Sequence, residues 1–101
     1  MTGVESIAAE RKRQVEAEGW TPEHDDEHRN GEIAEAAAGY LVFGNRGNWA
    51  YDGVPPSWPW HPSCWKPKDR RADLVRAGAL IAAEIDRLDR MAERACDHGR
   101  V

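Results

Sequence analysis

The sequence predicts an all-α protein: a small helical bundle with one long C-terminal helix and a long loop rich in tryptophan and proline. Apolar or small residues recur with a helical period in three segments, and the last of these is unusually long. Residues 44–68 show no such period and hold five prolines and four of the five tryptophans. The length of 101 residues suits a single helical domain, 1–101.

The long helix is predicted over residues 69–95. Small and apolar side chains recur there in steps of four and three, the spacing of a heptad seam. They are Leu74, Gly78, Ile81, Ile85, Leu88, Ala92 and Ala95. Gly78 is expected to let another backbone approach, and Asp86 and Arg90 are spaced for an ion pair. A helix of about 27 residues measures roughly 40 Å, more than one small domain covers, so the seam predicts a homo-oligomer, most simply a dimer.

Two shorter helices are predicted over residues 4–18 and 32–43, ended by Gly19 and Gly44. Between them, Thr21 and Pro22 form a helix-start signature, followed by a one- to two-turn helix or an ordered loop that is too acidic to belong to the core. The first helix is expected to pack through Val4, Ile7, Ala8, Arg11 and Val15, and the second through Ile33, Ala34, Ala37, Ala38 and Leu41.

The loop over residues 44–68 is expected to be ordered, because a disordered linker would avoid tryptophan. Long aromatic loops in compact domains usually have a function or pack on the core. The expected covering residues are Trp49, Trp58, Trp60 and Trp65.

The bulk charge and the N-terminus exclude several classes of protein. The net charge of -4 argues against a protein dedicated to duplex DNA. No apolar run reaches membrane-spanning length, and the first residues lack the apolar region of a signal peptide. We therefore expect a cytoplasmic protein, in which Cys64 and Cys96 stay reduced.

The favoured binding site combines aromatic rings with cations where the loop enters the long helix. Aromatic faces can stack on bases, while arginine side chains and a helix N-terminus can bind phosphate. The candidate ligand-binding residues are Trp58, Trp60, Trp65, Lys66, Arg70, Arg71 and Arg76. The alternative is that the tryptophans are core residues and the cations are solvated.

Two metal sites are possible alternatives. Glu32, Glu35 and Asp73 could hold Mg²⁺ beside a substrate phosphate, or they could belong to a solvated acidic surface. A zinc site would draw on His24, His28, His61 and Cys64. The chain has no glycine-rich P-loop and no serine in a nucleophile elbow, so no catalytic residue is assigned.

Four stretches, EGWTPEHDDEH, GEIAEAAAGY, WPW…WKP and RRADLVRAGALIAAEIDRLDR, resemble a family of small proteins from phages and prophages. The resemblance implies an accessory protein in the host cytoplasm. In that family the position of Cys64 is often aromatic, so stoichiometric zinc is not expected. Glu32 and Glu35 with Asp73 are similar to the magnesium-binding acids of MazG-like all-α nucleotide pyrophosphatases, although Arg70 stands where one of those acids would be.

Three functions follow from these patterns. The first is capture of a nucleotide or nucleotide-derived signal, which would let a phage evade a host defence that uses that signal. The second is a magnesium-dependent nucleotide pyrophosphatase. The third is inhibition of a host protein through the acidic surface.

Overall fold

The structure is a computed structural model that describes residues 1–44 and 53–98. These residues form four α-helices and no strand: α1 (Gly3–Ala17), α2 (Pro22–Asp25), α3 (Glu32–Ala38) and α4 (Arg70–His98). Gly39–Phe43 continues α3 as a π-helical turn, and Pro62–Cys64 forms a 3₁₀ turn. The predicted all-α class and long C-terminal helix are therefore confirmed. Within the described ranges, every helix is too short or too polar to cross a bilayer.

The first helix begins with a capping box, in which the Thr2 hydroxyl accepts from the Glu5 N–H and the Glu5 carboxylate accepts from the Thr2 N–H. Its predicted packing face is partly correct. Ile7 packs against α4 and Arg11 forms a buried ion pair, but Val4 is 80% exposed, whereas Ser6 and Gln14 are buried. A hydrogen bond explains the burial of Ser6, because its hydroxyl accepts from the Arg71 guanidinium of α4 at 2.7 Å. A polar face of α1 therefore packs against α4.

The second helix is a single turn, and Thr21 caps it by accepting from the His24 N–H. The expectation that this acidic segment stays out of the core is wrong for Asp25, which is only 4% exposed. An ion pair explains this burial, because Asp25 Oδ2 lies 2.7 Å from Arg11 Nη2 on α1.

The core lies between α3 and α4 and consists mainly of small side chains around one tyrosine. Its buried members are Ile33, Ala36, Ala37, Tyr40, Ala77, Leu80 and Ala83. Small side chains allow the axes of two helices to approach closely. The tryptophans Trp20, Trp58, Trp60 and Trp65 are partly buried against this core, whereas Trp49 lies outside the described residues.

The predicted seam of α4 faces solvent in the single chain. The helix buries Asp73, Ala77, Leu80 and Arg87, whereas Leu74, Ile81, Ile85 and Leu88 are 39–52% exposed. Most of the buried residues stand one position before a seam residue in the sequence. One position is a rotation of about 100° around the helix axis, so α4 packs within the chain through a face beside the seam.

Two further expectations for α4 are corrected. Gly78 meets the side chain of Ile7, not a backbone: a Cβ at Gly78 would stand 2.7 Å from Ile7 Cδ1. Arg90 pairs with Asp26 and not with Asp86. The Asp26 carboxylate accepts from Arg90 at 2.8 Å and from Arg94 at 2.6 Å. This three-residue contact, the Asp26 clamp, ties α2 to α4.

The hydrogen bonds from the two arginines lower the pKa of the Asp26 carboxyl, outweighing the effect of its burial. The same contact raises the pKa of Arg90. The clamp is therefore an ion pair that acid will open.

Candidate ligand-binding groove

Two of the predicted stacking rings, Trp58 and Trp65, are packed against Tyr40. The Trp65 ring stacks on the Tyr40 ring with centroids 4.8 Å apart, and Trp58 meets both rings edge-on at 5.5 and 5.0 Å. One face of Trp65 is therefore occupied from within the protein. Trp60 meets the outer ring of this cluster, Trp58, edge-on at 5.6 Å and also contacts Trp20 and His28.

The Tyr40 hydroxyl holds the loop to α4. It donates to the Cys64 carbonyl at 3.3 Å, and it accepts from the Lys66 N–H at 3.2 Å and from Arg76 Nη1 at 3.3 Å. Arg76 also donates to the Lys66 carbonyl at 2.7 Å. These bonds fix the side chain of Arg76 and the backbone around Lys66.

The predicted phosphate-binding arginines donate mainly to neutral oxygens. Arg70 donates to the Leu41 carbonyl at 2.9 Å, and Arg71 donates to the Ser6 hydroxyl at 2.7 Å. The carboxylate nearest Arg76 is Glu10, at 3.8 Å. A hydroxyl or carbonyl orients a guanidinium without cancelling its charge, so these cations keep their capacity to attract an anion.

The N-terminus of α4 is partly capped from within. The Asp69 carboxylate accepts from the Ala72 N–H at 2.9 Å, and the fully buried Asp73 accepts from the Lys68 N–H at 2.7 Å. Phosphate contacts in this region would therefore come mainly from side chains.

An aromatic hollow of about 240 Å³ lies where the loop passes α2. Its walls are Trp20, His24, His28, Trp60 and Cys64. The buried Trp60 Nε1 and His24 Nδ1 have no hydrogen-bond partner in the described part of the chain, and the nearest carboxylate oxygen to His24 Nδ1 is 3.6 Å away. The hollow thus offers ring surfaces, which suits a flat heterocycle.

A basic hollow of about 330 Å³ lies between α1 and the first turns of α4. Its lining includes four cations and one carboxylate: Arg13, Lys68, Arg71, Arg76 and Glu10. Burial alone would raise the pKa of Glu10, but hydrogen bonds and charge from Arg13, together with the charge of Arg76, lower it. The ammonium groups of Lys66 and Lys68 have no partner among the described residues. This local excess of cations contrasts with the net charge of -4.

A middle hollow of about 90 Å³ joins the other two. It shares Trp20 and Cys64 with the aromatic hollow and Arg13 and Arg76 with the basic hollow, and Lys66 also lines it. The three hollows form one continuous surface, which we call the groove. Of the predicted ligand residues, Trp60, Lys66, Arg71 and Arg76 line the groove. Arg70 points to α3, and Trp58 and Trp65 support the loop.

The residues of the two metal hypotheses have other partners. Glu32 accepts from the Asn30 N–H at 2.6 Å and contacts His28 at 3.3 Å, while Asp73 is buried at the start of α4. The His61 ring contacts Ser63 at 2.8 Å. Within residues 1–44 and 53–98, no three His, Cys, Asp or Glu side chains converge in a way that could hold a metal ion.

The sequence does not indicate a ligand-binding role for Arg13 or Trp20, and it indicates the two histidines of the hollow only as zinc ligands. Trp20 follows Gly19 directly, between α1 and α2, and is distant in sequence from the loop and from α4. Arg13 is far in sequence from the basic segment, and only the packing of α1 on α4 brings it there.

The chain matches no protein-family model, no curated protein and no solved structure. The groove must therefore be interpreted from its own chemistry.

Proposed function

We propose that the protein binds a nucleotide or nucleotide-derived ligand in the groove, with the base in the aromatic hollow and the phosphate in the basic hollow. One observation carries this proposal: a ring-lined hollow and a hollow with four cations are joined through shared side chains. Rings bind bases by stacking, and arginine and lysine bind phosphate by charge. Binding without turnover would suit a phage accessory protein that withholds a signal from a host defence.

The proposal places the ligand contacts differently from the sequence prediction. Trp60 stays a stacking residue and is joined by Trp20, while Lys68 and Arg13 join Arg71 and Arg76 at the phosphate. His24 and His28 complete the ring-lined wall of the aromatic hollow. Trp58 and Trp65 act indirectly by holding the loop on Tyr40.

The test is calorimetric titration with mono-, di- and cyclic nucleotides, with and without Mg²⁺. We expect stoichiometric binding that weakens as salt is added, because the contacts to phosphate are electrostatic. Lys66→Ala/Lys68→Ala removes two ammonium groups that hold nothing else in the described structure, so the fold should be spared. We expect this variant to bind at least tenfold more weakly, about 1.4 kcal/mol.

The matched control is Lys12→Ala, which removes a cation from the exposed side of α1, where the side chain is 75% exposed. It should bind as the unchanged protein does. Hydrolysis of the nucleotide that requires Mg²⁺ and is lost in Glu32→Ala would favour the pyrophosphatase alternative. The absence of binding to every nucleotide would refute the proposal and favour a host protein as partner.

A further inference from the structure

A continuous apolar face is exposed on the side of the molecule formed by α3 and α4. It consists of Ala34, Ala38, Leu41, Leu74, Ile81, Ile85 and Leu88. The large side chains in this set are 39–52% exposed. A hollow of about 240 Å³ runs along the face between the two helices, and all but one of its lining residues are aliphatic or alanine.

The spacing of these residues indicates what covers the face. Leu74, Ile81, Ile85 and Leu88 retain the heptad steps of a helix-packing seam, yet the described chain places no helix over them. The molecule is only 20 Å thick in its shortest dimension, about two helix diameters. A two-helix layer with an apolar outer face requires a second layer.

The size of the face suits pairing with an equal surface. The face is about 20 Å long, measured along α4, and about 20 Å wide, which is the width of two helices. It therefore covers roughly 400 Å² in projection. With a surrounding polar rim, this is compatible with the roughly 800 Å² that each partner buries in a standard interface. A second copy of the chain supplies the same seam, and a two-fold axis closes the assembly without leaving a face exposed.

We propose that two copies of the chain pair through this face with their α4 helices antiparallel, so that α3 and α4 of one copy form one layer and those of the other copy form the second. The orientation follows from charge. Arg70, which turns to the α3 side and away from the groove, lies at the start of α4, whereas the exposed carboxylates Asp86, Asp89 and Glu93 lie in its second half.

The arginines of that second half are already paired within the chain: Arg87 with Glu84, and Arg90 and Arg94 with Asp26. An antiparallel pair therefore places the basic start of one α4 opposite the acidic half of the other, while a parallel pair would bring like charges together. The proposal is independent of ligand binding, because the groove lies on the α1 side of α4.

The test is sedimentation of the full chain over a wide range of micromolar concentrations. We expect a dimer for the unchanged protein, and at least tenfold weaker association for Ile85→Glu with unchanged helical circular dichroism. Leu41→Glu, on the other helix of the face, should give the same result. The control Val4→Glu changes an apolar residue of α1 that is 80% exposed but lies off the face, and it should remain dimeric. A monomeric unchanged protein, or a dimer that survives both substitutions on the face, would overturn the proposal.

Disulfide crosslinking tests the orientation in a Cys64→Ser/Cys96→Ser background. In an antiparallel pair centred near Ile81, Ile81→Cys should crosslink to itself. Leu74→Cys should crosslink to Leu88→Cys in a mixture, and not to itself. A self-crosslink at position 74 would instead show that the helices run parallel, and the absence of any crosslink would overturn the proposed register.

Discussion

The ion pair between Asp25 and Arg11 is expected to contribute much more to stability than the exposed ion pairs of α1. Asp25 Oδ2 lies 2.7 Å from Arg11 Nη2, and the two side chains are only 5% and 17% exposed. Arg11 also donates to the Trp20 carbonyl at 3.2 Å, so the pair joins α1 both to α2 and to the wall of the aromatic hollow.

The cost of breaking the pair follows from its burial. Asp25→Asn keeps the shape of the side chain but leaves the guanidinium of Arg11 without its counter-ion. Removing one partner of a buried pair costs about 3–5 kcal/mol. Because Arg11 is partly accessible and can recover some hydration, we expect Asp25→Asn to lower the free energy of unfolding by about 2–3 kcal/mol. For a domain of this size that corresponds to roughly 10–20 °C in the midpoint temperature.

The assay is urea unfolding at one fixed protein concentration, since self-association would make the midpoint depend on concentration. Glu16→Gln is the control, because the Lys12–Glu16 pair is 4.0 Å long and its side chains are 75% and 65% exposed. That change should cost less than about 0.5 kcal/mol. If the two substitutions lower the free energy of unfolding by equal amounts, burial does not govern the strength of these ion pairs and the reasoning fails.

Three further outcomes are expected. The pKa of the Asp26 carboxyl is lowered in the folded state, so the Asp26 clamp stabilises the fold above the ordinary pKa of 3.8. This stabilisation is lost as the pH falls below that value. In Asp26→Asn, the urea midpoint should therefore decrease less steeply as the pH is lowered. Gly44→Ala should destabilise the protein by about 1–3 kcal/mol, because its Cβ would stand 2.5 Å from the Tyr40 carbonyl oxygen, whereas Gly3→Ala, with nothing within 4 Å, should not. Tyr40→Phe should cost about 0.5–1.5 kcal/mol in thermal unfolding, because it removes the hydroxyl that bonds the Cys64 carbonyl and the Lys66 N–H.

Local signals in the sequence predicted the helices well. The helical period of α4 and the Thr-Pro start of α2 are local features of the sequence. Both helices can therefore be identified without knowledge of the fold. The packing faces were harder to predict. The largest apolar side chains of α4 form the heptad seam, but the helix packs within the chain through Ala77, Ala83 and their neighbours, because close helix contact favours small side chains.

The candidate site was predicted only in part for a related reason. The cations at the start of α4 are consecutive in the sequence and were identified. The groove also needs Arg13 and Trp20 from the N-terminal third of the chain, and their position depends on how α1 packs on α4. Trp58 and Trp65 are expected to stack on a ligand, but they pack on Tyr40 instead. Tyr40 lies beneath the loop, in the π-helical turn that follows α3.

The proposed division of the groove into a ring-binding end and a phosphate-binding end is tested most directly by comparing a nucleoside with its nucleotide. The affinity of both ligands is measured by calorimetry for the unchanged protein and for Lys66→Ala/Lys68→Ala. We expect the unchanged protein to prefer the nucleotide by at least tenfold, about 1.4 kcal/mol. We expect that preference to shrink in the variant, because only the arginines of the basic hollow remain, while nucleoside binding stays the same. A preference unchanged by the loss of both ammonium groups, or a protein that binds neither ligand, would contradict the proposed function.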